Sequence, residues 1–128
     1  MIPTNELRIG NWVLIQGDEQ KQIKTLQQQH CTLYDDGFDW HRYDAIHPIP
    51  LTPEVLVKCG FVVMQSGHYS LMDENIWLSP NKHKGWNYYV SYSSNTGELA
   101  LAAEEIESLH RLQNVLHALE EVEITYVP

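Results

Sequence analysis

The chain has 128 residues and a formal net charge of -9 at pH 7, from 17 acidic and 8 basic side chains. This length suits one domain or two small subdomains, and a chain of this size folds without a metal or a disulfide. Because duplex DNA is bound by clustered lysine and arginine, the acidic balance argues against duplex nucleic acid as a partner. No apolar run approaches the roughly 18 to 20 residues of a membrane helix, so no membrane partner is expected.

The sequence predicts a cytoplasmic location. The N-terminal stretch MIPTNELRIG lacks the basic and apolar regions of a signal peptide. The two cysteines, Cys31 and Cys59, form no CxxC pair, and Cys59 lies in an apolar helical pattern. We interpret both as reduced thiols that pack as small hydrophobic side chains, although a bridge between them stays open at this point.

Residues 1–50 have the pattern of several short β-strands. An alternation of polar and apolar side chains, or a short apolar run, predicts strands over Trp12–Ile15, Lys21–Leu26, Cys31–Tyr34 and Phe38–Tyr43. Asp36-Gly37 is a hairpin signal between the last two, and Ala45–His47 adds a short closing strand. So many short strands in 50 residues predict an SH3-like small β-barrel.

A proline-rich connector and a short helix follow the predicted barrel. His47–Pro50 contains two prolines, which exclude a central strand or a helix interior and indicate a boundary after residue 50. Thr52 as N-cap and Pro53 at the first helical position predict a helix over 53–59, and Gly60 is its left-handed stop.

Residues 51–128 are predicted to form a second, α+β subdomain. Antiparallel strands are expected over 61–101, a helix over 106–119 and a last strand over 122–127. The helix has an apolar seam of four leucines at i, i+3, i+7 and i+10, which we expect to be buried: Leu109, Leu112, Leu116 and Leu119. The fold class is therefore α+β, a small barrel followed by a sheet with two helices.

Aromatic side chains crowd the strand predicted around residues 86–92. The candidate interaction surface there consists of Trp86, Tyr88, Tyr89 and Tyr92. Alternation places Trp86 and Tyr88 on one face and Tyr89 on the other, and one of these faces is expected to be core. Exposed tyrosines favour protein binding, whereas packing against the last helix is the structural alternative. A platform for single-stranded nucleic acid would need adjacent basic residues, and only Lys82 and Lys84 are near.

The other face of the last helix is polar and is predicted to be solvated. Its members are Glu107, His110, Asn114, His117 and Glu121, of which His110, Asn114 and His117 are further candidates for the interaction surface. Glu107 and His110 have the spacing of helical metal ligands, but a second such pair is missing. His110 and His117 lie about 10.5 Å apart along a helix axis, too far for one zinc ion, so no metal site is predicted.

No catalytic constellation is evident, so neither a catalytic residue nor a cofactor is predicted. The sequence contains no GxSxG, no glycine-rich phosphate loop and no HExxH motif. The aspartates around the predicted hairpin do not have the spacing of an EF-hand loop. Between Glu98 and Pro128 there are seven acids and one base, which indicates a localised acidic surface that favours solubility or a basic partner.

Three segments together resemble a family of small uncharacterised bacterial proteins that are often encoded in phage-like or mobile regions. They are the segment Glu6–Val13, the segment Pro48–Glu54 with Leu56 and Cys59–Phe61, and the segment Leu109–Asn114 with Ala118-Leu119. In place of the family's Thr-Gly helix stop, this chain has Glu120-Glu121. The resemblance implies a phage or mobile-element accessory protein and carries no catalytic residues.

The leading hypothesis from sequence is a non-enzymatic protein-interaction module that binds a protein partner or forms a homodimer. It rests on the aromatic strand and on the acidic C-terminal region. One alternative is a small metal-dependent or cleft-based enzyme that uses histidines and acids. A weaker alternative is the binding of single-stranded nucleic acid through the barrel.

Overall fold

The computed structural model describes residues 2–15, 19–34, 40–65, 67–71, 76–80, 88–93, 99–120 and 123–128. This described part contains nine β-strands and two α-helices, so the α+β class is confirmed. The chain divides into two compact units. Unit 1 comprises Met1–Ile49 with Ser108–Glu121, and unit 2 comprises Pro50–Glu107 with Val122–Pro128. The first division lies between Ile49 and Pro50, in the proline-containing connector.

Unit 1 is built on a curled antiparallel sheet of four strands in the order β1-β2-β3-β4, a half-barrel. The strands are β1 (Trp12–Ile15), β2 (Glu19–Leu26), β3 (His30–Leu33) and β4 (His41–Arg42). Leu14 and His47 exchange backbone hydrogen bonds of 2.8 and 2.9 Å, so β1 is also paired along its second edge. The strands predicted before residue 35 are confirmed, whereas the Asp36-Gly37 turn and Phe38 lie outside the described residues.

The core of unit 1 consists of apolar side chains from the inner face of this sheet and from the segments that flank it. They are Ile2, Leu7, Val13, Ile15, Ile23, Cys31, Leu33 and Ile46. Val13 and Ile15 are buried while Trp12 and Leu14 are only half-buried, which is the alternation expected of a strand with one covered face. β4 ends at Arg42 because Tyr43–Ala45 form a 3-10 turn.

Unit 2 contains an antiparallel sheet in which each of five strands pairs with the next along the chain. The strands are β5 (Val62–Val63), β6 (Tyr69–Leu71), β7 (Ile76–Pro80), β8 (Tyr88–Ser93) and β9 (Leu99–Ile106). The antiparallel strands predicted after residue 61 are therefore confirmed. β9 continues to Ile106, which pairs with Tyr88, beyond the predicted strand end at residue 101.

Helix α1 (Pro53–Lys58) leads into β5 and has the signals that the sequence predicted. The hydroxyl of Thr52 accepts a hydrogen bond of 3.3 Å from the backbone of Val55. Gly60 has a φ of 94°, a left-handed conformation that ends the helix without the steric cost a side chain would add. Phe61 N then donates to Leu56 O at 3.1 Å, so the chain turns directly from α1 towards β5.

Helix α2 (Leu109–Glu120) belongs to unit 1, which corrects the prediction that it packs within the second subdomain. It begins after Ile106 rather than at it, because that residue still belongs to β9. Leu109, Leu112 and Leu116 are all fully buried, so the predicted seam is confirmed for these three. Neither helix in the described part of the chain has the length and apolar character needed to cross a membrane.

The strand predicted over residues 122–127 is wrong for its described part, since Glu123–Pro128 has no strand. The alternation that suggested a strand is still reflected in burial. Ile124 and Tyr126 are buried, whereas their neighbours Thr125 and Val127 are exposed. The alternating pattern therefore predicted correctly which of these side chains are buried. It did not predict whether the segment pairs with another strand.

We expect Thr52→Ala to destabilise the protein by about 1 kcal/mol, because the Val55 amide at the start of α1 loses its side-chain acceptor. Urea unfolding followed by circular dichroism measures the change. Thr52→Ser keeps the hydroxyl and is the matched control, with an expected loss of only a few tenths of a kcal/mol. Equal losses in both variants would contradict a capping role.

Candidate functional site

The aromatic strand does not supply the predicted surface at Tyr88. Tyr88 is 2% exposed and packs edge-to-face against Tyr69, with ring centroids 5.8 Å apart. Burial, with a smaller contribution from Tyr69, raises the pKa of Tyr88 to about 12. Tyr88 is therefore a core residue. Trp86 lies outside the described residues, as do the side chains of Tyr89 and Tyr92, whose backbones are part of β8.

The polar face of α2 is not uniformly solvated, which corrects a second prediction. His110 is 2% exposed and Asn114 is half-buried, while His117 is exposed. The reason is that β1 and the 3-10 turn Thr4–Glu6 both pack against α2. Glu121 lies outside the described residues.

Asn114 is the centre of a hydrogen-bond network between α2 and the N-terminal segment. Its Oδ1 accepts from Asn11 Nδ2 at 2.9 Å and from Arg8 Nε at 3.2 Å. Its Nδ2 donates to the carbonyl oxygen of Glu6 at 2.6 Å. Asn11 is fully buried, and its own Oδ1 accepts from the backbone of Arg8 at 2.6 Å. The buried amide of Asn11 and the half-buried amide of Asn114 are therefore satisfied by specific partners.

Gln113 extends this network to the turn before β1. Its Oε1 accepts from the backbone of Trp12 at 2.8 Å, and its Nε2 donates to Gly10 O at 3.0 Å. Gly10 has a φ of 95°, the left-handed conformation that glycine adopts most easily, and Gln22 also donates to its carbonyl. We call the set Glu6, Arg8, Asn11, His110, Gln113 and Asn114 the α2 network.

His110 joins the α2 network through Glu6. His110 Nε2 lies 3.1 Å from Glu6 Oε1, and the two side chains are 3% and 36% exposed. Burial lowers the pKa of His110, and Arg111 adds to the lowering, whereas the hydrogen bond and the charge of Glu6 oppose it. The ring is thus neutral at pH 7, so Nε2–H donates to Glu6. His110 Nδ1 is buried without a hydrogen-bond partner.

The histidine and carboxylate of this pair are the right groups for acid–base chemistry but are not placed for it. A general base must reach the proton that it removes, and the free nitrogen of His110 is enclosed. Among the described residues, no group of three or more histidine, cysteine, aspartate and glutamate side chains could hold a metal ion. The α2 network therefore holds unit 1 together and does not form an accessible reaction centre.

Sequence reasoning missed the α2 network because a helix can bury more than its apolar seam. The chemical type of the polar residues on α2 could have indicated that this face is buried. Solvated helix faces are usually rich in charged side chains, whereas α2 has an imidazole and two amides at His110, Gln113 and Asn114. Uncharged amides of this kind can be buried at modest cost when each donor and acceptor is paired.

A cluster of exposed apolar side chains lies in and after β5. Val62, Val63 and Met64 are 50%, 54% and 40% exposed, and we call them the β5 patch. Successive strand residues point to opposite faces, so neither face of β5 is covered at these positions. Val57 on α1, 57% exposed, precedes the patch by five residues. Such consecutive exposed apolar residues are typical of surfaces that bind another chain.

Comparisons of the chain with protein-family models, with curated proteins and with solved structures found no match. The resemblance to a family from phage-like regions therefore stays a prediction. Any function has to be argued from the geometry and chemistry of the described residues.

We expect Asn114→Ala to lower the free energy of unfolding by about 2–4 kcal/mol, because the buried donor of Asn11 and the carbonyl of Glu6 both lose their partner. Urea titration at pH 7 measures the loss. His117→Ala, at an exposed position one turn along the same helix, is the matched control and should lose far less. Comparable losses in both variants would show that α2 is not held by the network.

The stability of the fold should fall as the pH drops below about 6.5, the ordinary pKa of histidine. Because burial lowers the pKa of His110 in the folded state, the unfolded chain takes up this proton first. The neutral ring of His110 contributes fully to the free energy of unfolding above the pKa of the unfolded state. This contribution is lost as the pH falls through the lower pKa of the folded state.

His110→Gln isolates this effect, because the glutamine amide keeps a donor towards Glu6 and does not titrate. Urea unfolding at a series of pH values between 7.5 and 5 should show the wild type losing stability faster than this variant. Parallel curves for the two proteins would exclude His110 as the source of the pH dependence.

Proposed function

We propose that this protein is a non-enzymatic protein-interaction module that associates through β5, and that its partner is a second copy of the chain. The observation that carries the proposal is the β5 patch, whose three consecutive apolar side chains are each at least 40% exposed. Desolvating exposed valine and methionine is favourable by about 25 cal/mol per Å² of apolar surface, so covering this strand is favourable.

The backbone of β5 supports the same proposal, because β5 is one of the two edge strands of the described unit 2 sheet. Met64 N donates to His68 O at 2.8 Å, so the backbone groups of Met64 face β6. The backbone N–H and C=O groups of successive strand residues point to opposite edges of the strand, so those of Val63 point away from β6. An outward-facing pair of this kind is a template for strand addition.

A second copy fits this edge because antiparallel pairing across a two-fold axis is self-complementary. With the axis at Val63, the N–H of each copy meets the C=O of the same residue in the other. Val62 of one copy then lies opposite Met64 of the other, so the flanking apolar side chains are brought together. Each copy carries a net charge of -9, so the apolar contact has to offset a repulsion that salt screens.

The non-enzymatic part of the proposal is supported by the burial of His110, whose free Nδ1 is enclosed although its partner Glu6 is 36% exposed. An SH3-like identity for unit 1 is a further part of it, supported by the curled four-stranded sheet and by the Leu14–His47 pairing on the second edge of β1. A cytoplasmic location is supported by the two buried cysteines, both of which are free thiols.

Val63→Lys should weaken self-association at least tenfold, because the ammonium group has to be desolvated where two copies meet. Light scattering after size-exclusion chromatography, over a dilution series, measures the association constant. Val127→Lys introduces the same charge at an apolar position that is 67% exposed in unit 2 but is not part of β5, and it should associate like the wild type.

Salt provides a second, independent reading of the same association. Raising sodium chloride should strengthen the wild-type dimer, since screening reduces the repulsion between two acidic chains while the apolar contact remains. A monomer at every concentration, or equal association of the Val63→Lys and Val127→Lys variants, would overturn the proposal. Circular dichroism confirms that each variant is folded.

A further inference from the structure

The outer face of the unit 1 sheet carries aromatic and cationic side chains side by side. β3 and β4 pair with His30 opposite Arg42 and Cys31 opposite His41. Continuing this register places Trp40 opposite Thr32. Because Cys31 is buried in the core, the alternation puts its neighbours His30 and Thr32, and therefore Trp40 and Arg42, on the opposite, outer face.

The aromatic rings on this outer face are open to solvent. Trp40 is 57% exposed, and His30 meets it edge-to-face with ring centroids 6.4 Å apart. Tyr34 is 46% exposed, and Lys24 Nζ lies 5.9 Å from the centre of its ring. An exposed tryptophan is rarely left without a reason, since burying its ring would be favourable.

A polar pocket of about 530 Å³ is lined by Gln29, His30, Arg42, Tyr43 and Asp44, so His30 belongs both to the pocket and to the ring contact with Trp40. Arg42 Nε lies 3.9 Å from Asp44 Oδ2, and these side chains are 77% and 61% exposed. An exposed ion pair of this length contributes little. The guanidinium can therefore exchange this contact for a bidentate bond to a phosphate or carboxylate at small cost.

We propose that this outer face, formed by Trp40 with the pocket at Arg42, binds a nucleotide, with the base against Trp40 and the phosphate on Arg42. The volume falls within the range of ligand pockets and is ample for one nucleotide. His30 adds a second donor beside the phosphate. The amide of Gln29 can donate or accept hydrogen bonds, and the carboxylate of Asp44 can accept them, at the base edge or the ribose hydroxyls.

The chemistry of the face selects an unpaired base over a duplex. The ring of Trp40 needs an open π-face to stack on, and a base inside a duplex does not offer one. Among the described residues, Lys24 and Arg42 supply positive charge on this face, and Arg42 has to attract the phosphate despite the nearby carboxylate of Asp44. The shared feature is therefore a nucleobase with an attached phosphate, present both in free nucleotides and in single-stranded nucleic acid.

Two-dimensional ¹H–¹⁵N spectra of the full chain test this proposal with defined probes. Adenosine monophosphate, adenosine and inorganic phosphate are titrated separately, together with a twelve-residue oligothymidylate. The indole signal of Trp40 is identified by its loss in Trp40→Phe. We expect the monophosphate to shift this signal, and adenosine or phosphate alone to bind at least about tenfold more weakly, because each makes only one of the two contacts.

Two substitutions separate the two contacts. Arg42→Gln and Trp40→Ala should each weaken the binding of the monophosphate by about tenfold, and Trp40→Phe should retain most of it because a stacking ring remains. Lys58→Gln removes the same unit of charge from the exposed surface of α1 and is the matched control, with unchanged binding expected. The spectra also report whether each variant is folded.

The outcomes separate the sources of the nucleotide. Tighter binding of the oligothymidylate than of the monophosphate, with a steep dependence on salt, assigns the face to single strands, and the reverse order assigns it to free nucleotides. An unshifted Trp40 signal with all four probes would overturn the proposal, as would binding that Arg42→Gln and Lys58→Gln weaken equally. Self-association through β5 is read separately by light scattering, so either proposal can fail alone.

Discussion

Unit 1 depends on side-chain amides that join the two ends of the chain. Asn114 makes three hydrogen bonds to Glu6, Arg8 and Asn11, partners more than a hundred positions away. Asn11 is fully buried, so its amide is satisfied only when α2 is in place. The sheet of unit 1 and helix α2 therefore stabilise each other, although Pro50–Glu107 of unit 2 lies between them in sequence.

Features that depend on single residues or on short stretches of the chain were predicted well from the sequence. Thr52 and Gly60 bound α1 because capping and left-handed backbone depend on single residues. Strand alternation similarly placed Val13 and Ile15 in the core. The unit to which α2 belongs was not predictable in this way, because the leucine spacing says only that one face is buried. Gln113 and Asn114 determine that α2 packs in unit 1, through hydrogen bonds to Trp12 and Asn11. The sequence alone does not indicate which residues such amides bind.

The candidate binding surfaces in the structure differ from the predicted one for a related reason. Aromatic density suggested an interface at Tyr88, yet β8 lies between β7 and β9, where a large ring fills the core. Exposed rings and apolar side chains are instead found where a sheet ends, at Val63 on the edge strand β5 and at Trp40 beside the edge strand β4. Position within the sheet, which a single sequence reveals poorly, decides whether a residue of high β-propensity packs inside or binds something outside.

The three segments on which the predicted family resemblance rests all contribute to the fold. Glu6, Arg8 and Asn11 of the first segment bond to His110, Gln113 and Asn114 of the third, and the middle segment supplies the cap and the stop of α1. The residues argued to bind a partner, Val63, Trp40 and Arg42, lie outside all three segments. Substitutions at Val63, Trp40 or Arg42 would therefore change what the chain binds without altering the α2 network or the cap of α1, because these features depend on separate residues.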